Sequence, residues 1–398
     1  MGVSCRCPNL GSTLRRAIVV MLVACALLNN VKLAAAKEAG ERDIQNIVDA
    51  IVKPLMRQHR IPGMAVGVSI NGRRHLMHYG VASRSPHRPV THDTLFELGS
   101  ISKTFTATLA ALAQEQGRLS LKDSVGQHMA ELRDSPIGEV RLLHLATHTA
   151  GGFPLQLPDD VKDRSGLIDY LRAWRPQSAP GAMRSYANPS IGLLGIISAS
   201  AMGETFADVM ERRLFPALGL RSTFIRTPLS RMNAYAWGYS RDDLPVRVNP
   251  AMLADEAYGV KSSAEDMLRF LDLNMGLGAA SPGIEQAVLQ TQIGYFRSGD
   301  LVQALVWERY PYPVALEKIV AGNSPDMTMN AQPVVAIESP IGPGGEMLFN
   351  KTGSTNGFGA YVAFVPSRRI GIVLLANRNY PNEVRVAAAH RIISRLAR

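Results

Sequence analysis

The sequence predicts an α/β protein with an all-α insertion. A mixed lobe, in which an antiparallel sheet is flanked by helices, is built by both ends of the chain, at about residues 37–95 and 330–398. A largely helical lobe, about residues 100–330, is inserted between its strands. Three observations carry this prediction. Each end of the chain pairs strand-like runs through a tight turn and adds an amphipathic helix. The middle is richer in helical spacing. No repeat, low-complexity tract or Pro/Gly/Ser-rich linker divides the chain.

In chain order, Ile44, Ile47, Val48, Ile51, Val52 and Leu55 recur at helical spacing, and Ile61-Pro62-Gly63 ends that helix. Met64 to Ile70 reads as a strand, Asn71-Gly72 as a tight turn and Arg73 to Val81 as the return strand. Ile101 to Gln116 reads as a helix closed by Gly117 at a C-cap position. Near the far end, Gly359 to Val365 and Ile370 to Ala376 are strands joined by a polar turn at Pro366 to Arg369, and a helix runs from Asn382 to the end. A cleft is expected where the two lobes meet.

The first residues read as an export leader, outside the fold. Arg15-Arg16 precede an apolar core, Ala17 to Leu28, that is too short to span a bilayer as a transmembrane helix, and Ala34-Ala35-Ala36 offers a signal-peptidase site. Cleavage is expected after Ala36, with export to the periplasm. Leu22-Val23-Ala24-Cys25 offers the alternative of acylation at Cys25, but the sequence stays apolar beyond that cysteine. Cleavage lowers the net charge from +10 to +6, because the leader holds the cations Arg6, Arg15, Arg16 and Lys32 and no acid. It also removes Cys5, Cys7 and Cys25, every cysteine in the chain, so neither a disulfide nor a thiol nucleophile is expected. The remaining cations are scattered and lack the aromatic interleaving of a nucleic-acid surface. No nucleic-acid partner is therefore expected; the chain is also expected to take small-molecule substrates, to have no span after the leader and no cofactor or metal, and to be monomeric.

Three short motifs appear in order: Ser100-Ile101-Ser102-Lys103, Tyr186-Ala187-Asn188 and Lys351-Thr352-Gly353. The first places a hydroxyl at a helix start and an amine one turn later on the same face. A serine hydroxyl attacks only once its proton is taken. Lys103 could take it, or could position another base, if burial and nearby positive charge lower its pKa. Alone, S-x-x-K is weak, since about one chance match is expected in a chain this long. Y-x-N recurs at Tyr380-Pro381-Asn382. Order, spacing and context together are strong, and they form the signature of active-site serine enzymes that recognise penicillin.

Taken with their surroundings, these motifs resemble the class C β-lactamases of the serine β-lactamase and penicillin-binding protein superfamily, over nearly all of the mature chain. The resemblance is carried by Phe96–Lys103 (FELGSISK), Leu145–Gln156 (LATHTAGGFPLQ), Tyr186–Ser190 (YANPS), Ala257–Ser263 (AYGVKSS), Lys351–Gly359 (KTGSTNGFG) and Ala376–Asn382 (ANRNYPN). It implies the β-lactamase/transpeptidase-like fold and hydrolysis of β-lactam rings, cephalosporins favoured, through an acyl-enzyme on Ser100. It further implies that Lys103 and Tyr186 share acid–base duty, in an order the sequence leaves open. Gln156 and Asn188 would hold the substrate's side-chain amide, and Tyr258 would wall the cleft. Lys351 and Thr352, within the Lys351-Thr352-Gly353-Ser354 strand, would bind the carboxylate, with Asn382 and Arg385 nearby. The backbone N–H groups of Ser100 and Ser354 would form the oxyanion hole.

The departures from the family are His148, where many relatives carry tyrosine, the bulky Gln303–Glu308 segment, and a loosely matching stretch at 319–347 expected to border the cleft. Other readings compete at single residues. His144 and His148 stand at i and i+4, but without the glutamate of H-E-x-x-H or a third ligand they read as part of a packed structural helix. Asn382 is either a helix N-cap or a substrate contact, and Arg385 could be a plain surface helix residue. A D,D-peptidase or esterase using the same serine is the nearest alternative activity. A covalent β-lactam sensor would need a spanning segment after the leader, and no stretch of that length appears.

Overall fold

Residues 40–397 are described by the computed structural model, and two compact units, Met1–Ala50 and Ile51–Arg398, divide the chain. The leader, its cleavage site and Cys25 lie outside the described residues. In the first unit residues 40–50 are helical, as the spacing of Ile44, Ile47 and Val48 predicts. The second unit opens with helical residues 51–58, of which Val52 and Leu55 are buried.

The frame of the second unit is a ten-stranded sheet. Its strands are β1 (Gly63–Ile70), β2 (Arg73–Ser83), β3 (Arg88–Pro89), β4 (Gly294–Ser298), β5 (Leu301–Gln303), β6 (Glu308–Pro311), β7 (Val335–Ile341), β8 (Met347–Ser354), β9 (Gly359–Val365) and β10 (Ile370–Ala376). They run in the order β7-β4-β5-β6-β8-β9-β10-β1-β2-β3, and every neighbouring pair is antiparallel. The β1–β2 turn uses Asn71 and Gly72, both at positive φ (54° and 78°), the combination a two-residue hairpin with matching twist requires.

The register of β10 against β1, from Met64↔Ala376 to Ile70↔Ile370, closes the two ends of the unit on each other. All seven residues of β10 are buried. Since alternate side chains point to opposite faces, both faces of the sheet are covered there. Helix α3 (Ala264–Asn274) packs on β1 and β10, and the C-terminal helix α5 (Asn382–Leu396) packs on β9 and β10.

Helix α1 (Ser102–Glu115) is buried nearly all round and packs on α2 (Asn188–Ala201) and α4 (Pro282–Gln290). Its threonines satisfy their own hydroxyls: Thr104 donates to Ile101 O and Thr108 to Thr104 O, each at 2.8 Å. Gly117, at φ 65°, ends it in a Schellman turn, with Arg118 N donating to Ala113 O and Gly117 N to Gln114 O. Among the described residues no single helix is long and apolar enough to cross a membrane.

One expectation needs correcting. The middle of the chain was expected to be largely helical to about 330, yet β4, β5 and β6 lie within it and join the large sheet. These strands have three to five residues and bury polar groups (Gln303, Glu308, Arg309) where an apolar alternation would have marked them.

Candidate active site

Ser100 lies in a 3₁₀ turn, Gly99–Ile101, that leads directly into α1. Gly99 makes the turn possible. Its φ is +53°, and a Cβ there would meet the Ser354 backbone nitrogen at 2.4 Å. One turn on, Lys103 is fully buried and donates to Ser100 Oγ at 2.9 Å and to the Ala257 carbonyl at 2.9 Å. A ladder of rings fastens this helix to the sheet: Phe105 meets Phe270 of α3 at 4.4 Å between centroids, Phe270 meets Trp307 at 6.2 Å, and Trp307 meets Phe364 of β9 at 5.2 Å edge-on.

Tyr186 stands just ahead of α2, whose first residue is Asn188 with Pro189 next to it. Its ring centroid lies 5.2 Å from Lys103 Nζ and 5.0 Å from Lys351 Nζ. Burial pushes the Tyr186 phenol up, but the ammonium groups of Lys103 and Lys351 and a hydrogen bond with Ser100 outweigh it and bring it down from 10.0 to about 8. Burial likewise lowers Lys103 from 10.5 to about 8; Tyr186 opposes that shift and Lys351 adds to it. The two groups touch the same hydroxyl, so the proton near pH 8 belongs to the pair.

Lys351 comes from the middle of β8, where it is 2% exposed. Its Nζ donates to Thr352 O at 3.3 Å and lies 3.8 Å from Glu308 Oε1 on the neighbouring strand β6. Glu308 is paired more tightly with Arg184, which is also buried, at 2.9 Å. Arg184 further donates to Gln303 Oε1 at 2.7 Å and to Met327 O at 2.9 Å. Buried charge therefore runs along the cleft floor, with Glu308 between the cations Lys351 and Arg184 and Lys103 behind them.

The His148 ring lies against Tyr186, tilted by 39° at 4.4 Å between centroids, and accepts the Ala187 N–H at Nδ1. Burial first, then the cations Arg184, Lys103 and Lys351, hold it well below 6.5, so the ring is neutral at physiological pH. The helix expected around His144 and His148 spans only Leu142–Ala146, and His148 follows it at φ 60°. His144 turns elsewhere, to Thr149 Oγ1 at 2.9 Å.

A cavity of about 450 Å³ opens over these groups. Ser100, Gln156, Tyr186, Asn188, Tyr258, Lys351, Thr352, Gly353, Ser354 and Asn382 all line it, so six distant segments of sequence meet at one place. Asn188 Oδ1 is buried and finds no hydrogen-bond partner among the described residues, leaving an acceptor for an amide N–H.

The β-lactamase family model matches residues 48–397. The chain belongs to the β-lactamase family. A β-lactamase of Pseudomonas fluorescens is 45% identical over 352 residues, covering 88% of this chain and 98% of that protein. A solved structure described as a β-lactamase/D-alanine carboxypeptidase from Pseudomonas syringae superposes with a TM-score of 0.87 at 49% identity, covering 88% of this chain and 99% of the other. A class C β-lactamase solved in complex with cefoxitin gives a TM-score of 0.87 at 45% identity, covering 89% and 99%. The fold is the expected β-lactamase/transpeptidase-like one.

Two residues of the expected β-lactamase site do not line the cavity. Lys103 lies beneath the cavity floor and reaches it only through Ser100. Arg385, expected as a substrate contact or a surface residue, is neither. It is fully buried, donating to Gly353 O at 2.7 Å, Ser354 Oγ at 3.0 Å and Ala360 O at 3.3 Å, and also bonding Asn379 Oδ1 and Tyr380 O. Through Gly353 O and Ser354 Oγ it braces the strand β8 that carries Lys351. Asn382 is not the N-cap either, since Pro381 holds that position. It opens α5, faces the cavity and donates to Asn323 O at 3.3 Å.

The stretch at 319–347 borders the cleft as expected, through Gly322, Asn323, Met327 and Thr328. Sequence reasoning missed Glu308, Arg184 and the placement of His148 on Tyr186. The signals available were the unusual Gln303–Glu308 segment, an arginine two residues before Tyr186, and His148 itself as a departure from the family pattern.

Proposed function

We propose that this class C β-lactamase opens the β-lactam ring with Ser100. Ser100 Oγ attacks the lactam carbonyl while its proton passes to the Lys103/Tyr186 pair. The backbone N–H groups of Ser100 and Ser354 receive the developing oxyanion. The C–N bond breaks, the ring nitrogen takes the proton back from the pair, and an ester remains on Ser100. Water activated by the same pair then hydrolyses that ester and regenerates the hydroxyl. Lys351 and Thr352 bind the substrate carboxylate, Gln156 and Asn188 its side-chain amide, and Asn382 and Tyr258 bound the cleft. Cephalosporins are the favoured substrates. The enzyme works as a monomer in the periplasm after cleavage following Ala36.

One observation supports this most strongly: the fully buried Lys103 ammonium holds Ser100 Oγ at 2.9 Å. The Pseudomonas syringae neighbour, described as β-lactamase/D-alanine carboxypeptidase, favours a second reading in which the same acyl-enzyme forms on a D-alanyl peptide. Mixing the protein with a chromogenic cephalosporin, while following ring opening and intact mass together, separates the two. Many turnovers per molecule with little standing adduct support the β-lactamase reading, and one turnover with a lasting adduct supports the peptidase.

A further inference from the structure

Three residues before the nucleophile, a carboxylate is buried behind the cleft wall. Glu97 is 2% exposed and lies in the short strand Phe96–Glu97, paired with Lys261–Ser262. Three segments far apart in the chain converge on it. Glu97 Oε1 accepts the Tyr235 hydroxyl at 2.5 Å and the Val248 backbone N–H at 2.7 Å. Its Oε2 accepts the Thr355 hydroxyl at 2.5 Å. Arg247 lies over the Tyr235 ring, 3.9 Å from its centroid.

Burying a carboxylate is costly unless its oxygens are well used, and packing alone would be served by an apolar side chain. What Glu97 ties together indicates its use. Thr355 directly follows Ser354, and Val248 lines the cleft. The backbones at Leu98–Gly99 and Gly353–Ser354 abut closely: a Cβ on Gly353 would fall 1.9 Å from Leu98 O, and one on Gly99 would fall 2.4 Å from Ser354 N. The spacing between the Ser100 and Ser354 N–H groups is set along this seam, and the Glu97–Thr355 hydrogen bond spans it.

We propose that Glu97 is a positioning residue that, through Thr355, fixes the separation of the two oxyanion donors and ties the Val248 wall to the same frame. Glu97 itself does not line the cavity. The inference rests on the Ser100 reading above.

The test compares Thr355→Val, which keeps the shape and loses the hydroxyl, with Thr355→Ser, which keeps it. It reads kcat and KM for a chromogenic cephalosporin, and the affinity of phenylboronic acid, whose tetrahedral serine adduct places an oxygen where the oxyanion forms. Losing a whole oxyanion donor costs about 100-fold or more in kcat, so misplacing one should cost about tenfold. Thr355→Val is expected to lose that factor in kcat, with little change in KM, and to bind the boronic acid weaker by the same factor. Thr355→Ser should recover both to within about threefold of wild type. Glu97→Gln should act like Thr355→Val, and the double variant should lose scarcely more than either single one.

Wild-type kcat and boronate affinity in Thr355→Val would overturn the proposal, whatever happens to its melting temperature. So would losses in Thr355→Val and Glu97→Gln that multiply. If Glu97→Gln does not fold, the two Thr355 variants still decide. Wild-type protein that takes no boronate adduct sinks the Ser100 reading, and this inference with it; an active wild type beside an indifferent Thr355→Val sinks this inference alone.

Discussion

The two halves of the large sheet are built from opposite materials. Around β10, burial is apolar on both faces: Ile370, Ile372, Val373, Leu374 and Leu375 are at most 1% exposed and carry no polar side-chain atom. On β6 and β8, burial is just as deep, but it takes in Glu308, Arg309, Asn350 and Lys351. The first half gains free energy from every side chain removed from water. The second half spends part of that gain on desolvating charge, and leaves Glu308 Oε2 without a hydrogen-bond partner among the described residues. In return, Lys351 joins Lys103 in bringing the Tyr186 phenol to about 8 against burial and Glu308, and adds to the lowering of Lys103 that burial dominates. Both groups then titrate close to neutral pH, where proton transfer is most effective. Strands in one sheet therefore serve stability on one side and, in the proposed reaction, proton transfer on the other.

Four variants break or sharpen that contrast. Ser100→Ala should have the largest effect, lowering kcat by about 10⁴-fold or more while the melting temperature stays near that of wild type. Substantial turnover by that variant would remove Ser100 from its role. Next comes the charged half: Arg184→Met leaves Glu308 buried without its nearest cation and should cost about 3–5 kcal/mol of stability, read by urea unfolding. A neutral result would mean that the pair does not carry the local structure. In the apolar half, Leu374→Ala should cost about 2–5 kcal/mol by the same assay but leave kcat/KM within about twofold. A large kinetic loss there would erase the distinction between the halves.

Lys351→Gln is read by the smallest shift and the most specific sign, in the pH profile and not in the overall rate, which also loses the proposed carboxylate contact. The Lys351 cation lowers both Tyr186 and Lys103, so its removal raises both. The pH midpoint of the acylation rate should move up by about one unit. A midpoint that stays in place or moves down would show that Lys351 does not tune the pair.

The sequence reveals what is local. Asn71-Gly72, Gly117 and the apolar runs of β1, β9 and β10 each announce their structure within a few residues. Ser100 and Lys103 are legible for the same reason, because a helix turn fixes their separation. The short strands β4 to β6 were not legible, since they are defined by partners across the sheet and carry buried polar side chains. Arg385 misled because three of its partners are backbone carbonyls, which leave no trace in the identity of residues 353, 360 and 380. Glu308 and Arg184, 124 positions apart, acquire meaning only as a pair. Glu97 is hidden likewise, because the hydroxyls and N–H group it serves come from Tyr235, Val248 and Thr355.

The most direct test is to locate the acyl group. The protein would be quenched in acid within moments of mixing with cefoxitin, digested, and its peptides weighed. Acylation through the buried Lys103–Ser100 contact predicts one modified peptide, the one containing Ser100, and none in Ser100→Ala. An adduct on any other residue, or ring opening that proceeds unchanged in Ser100→Ala, would contradict it.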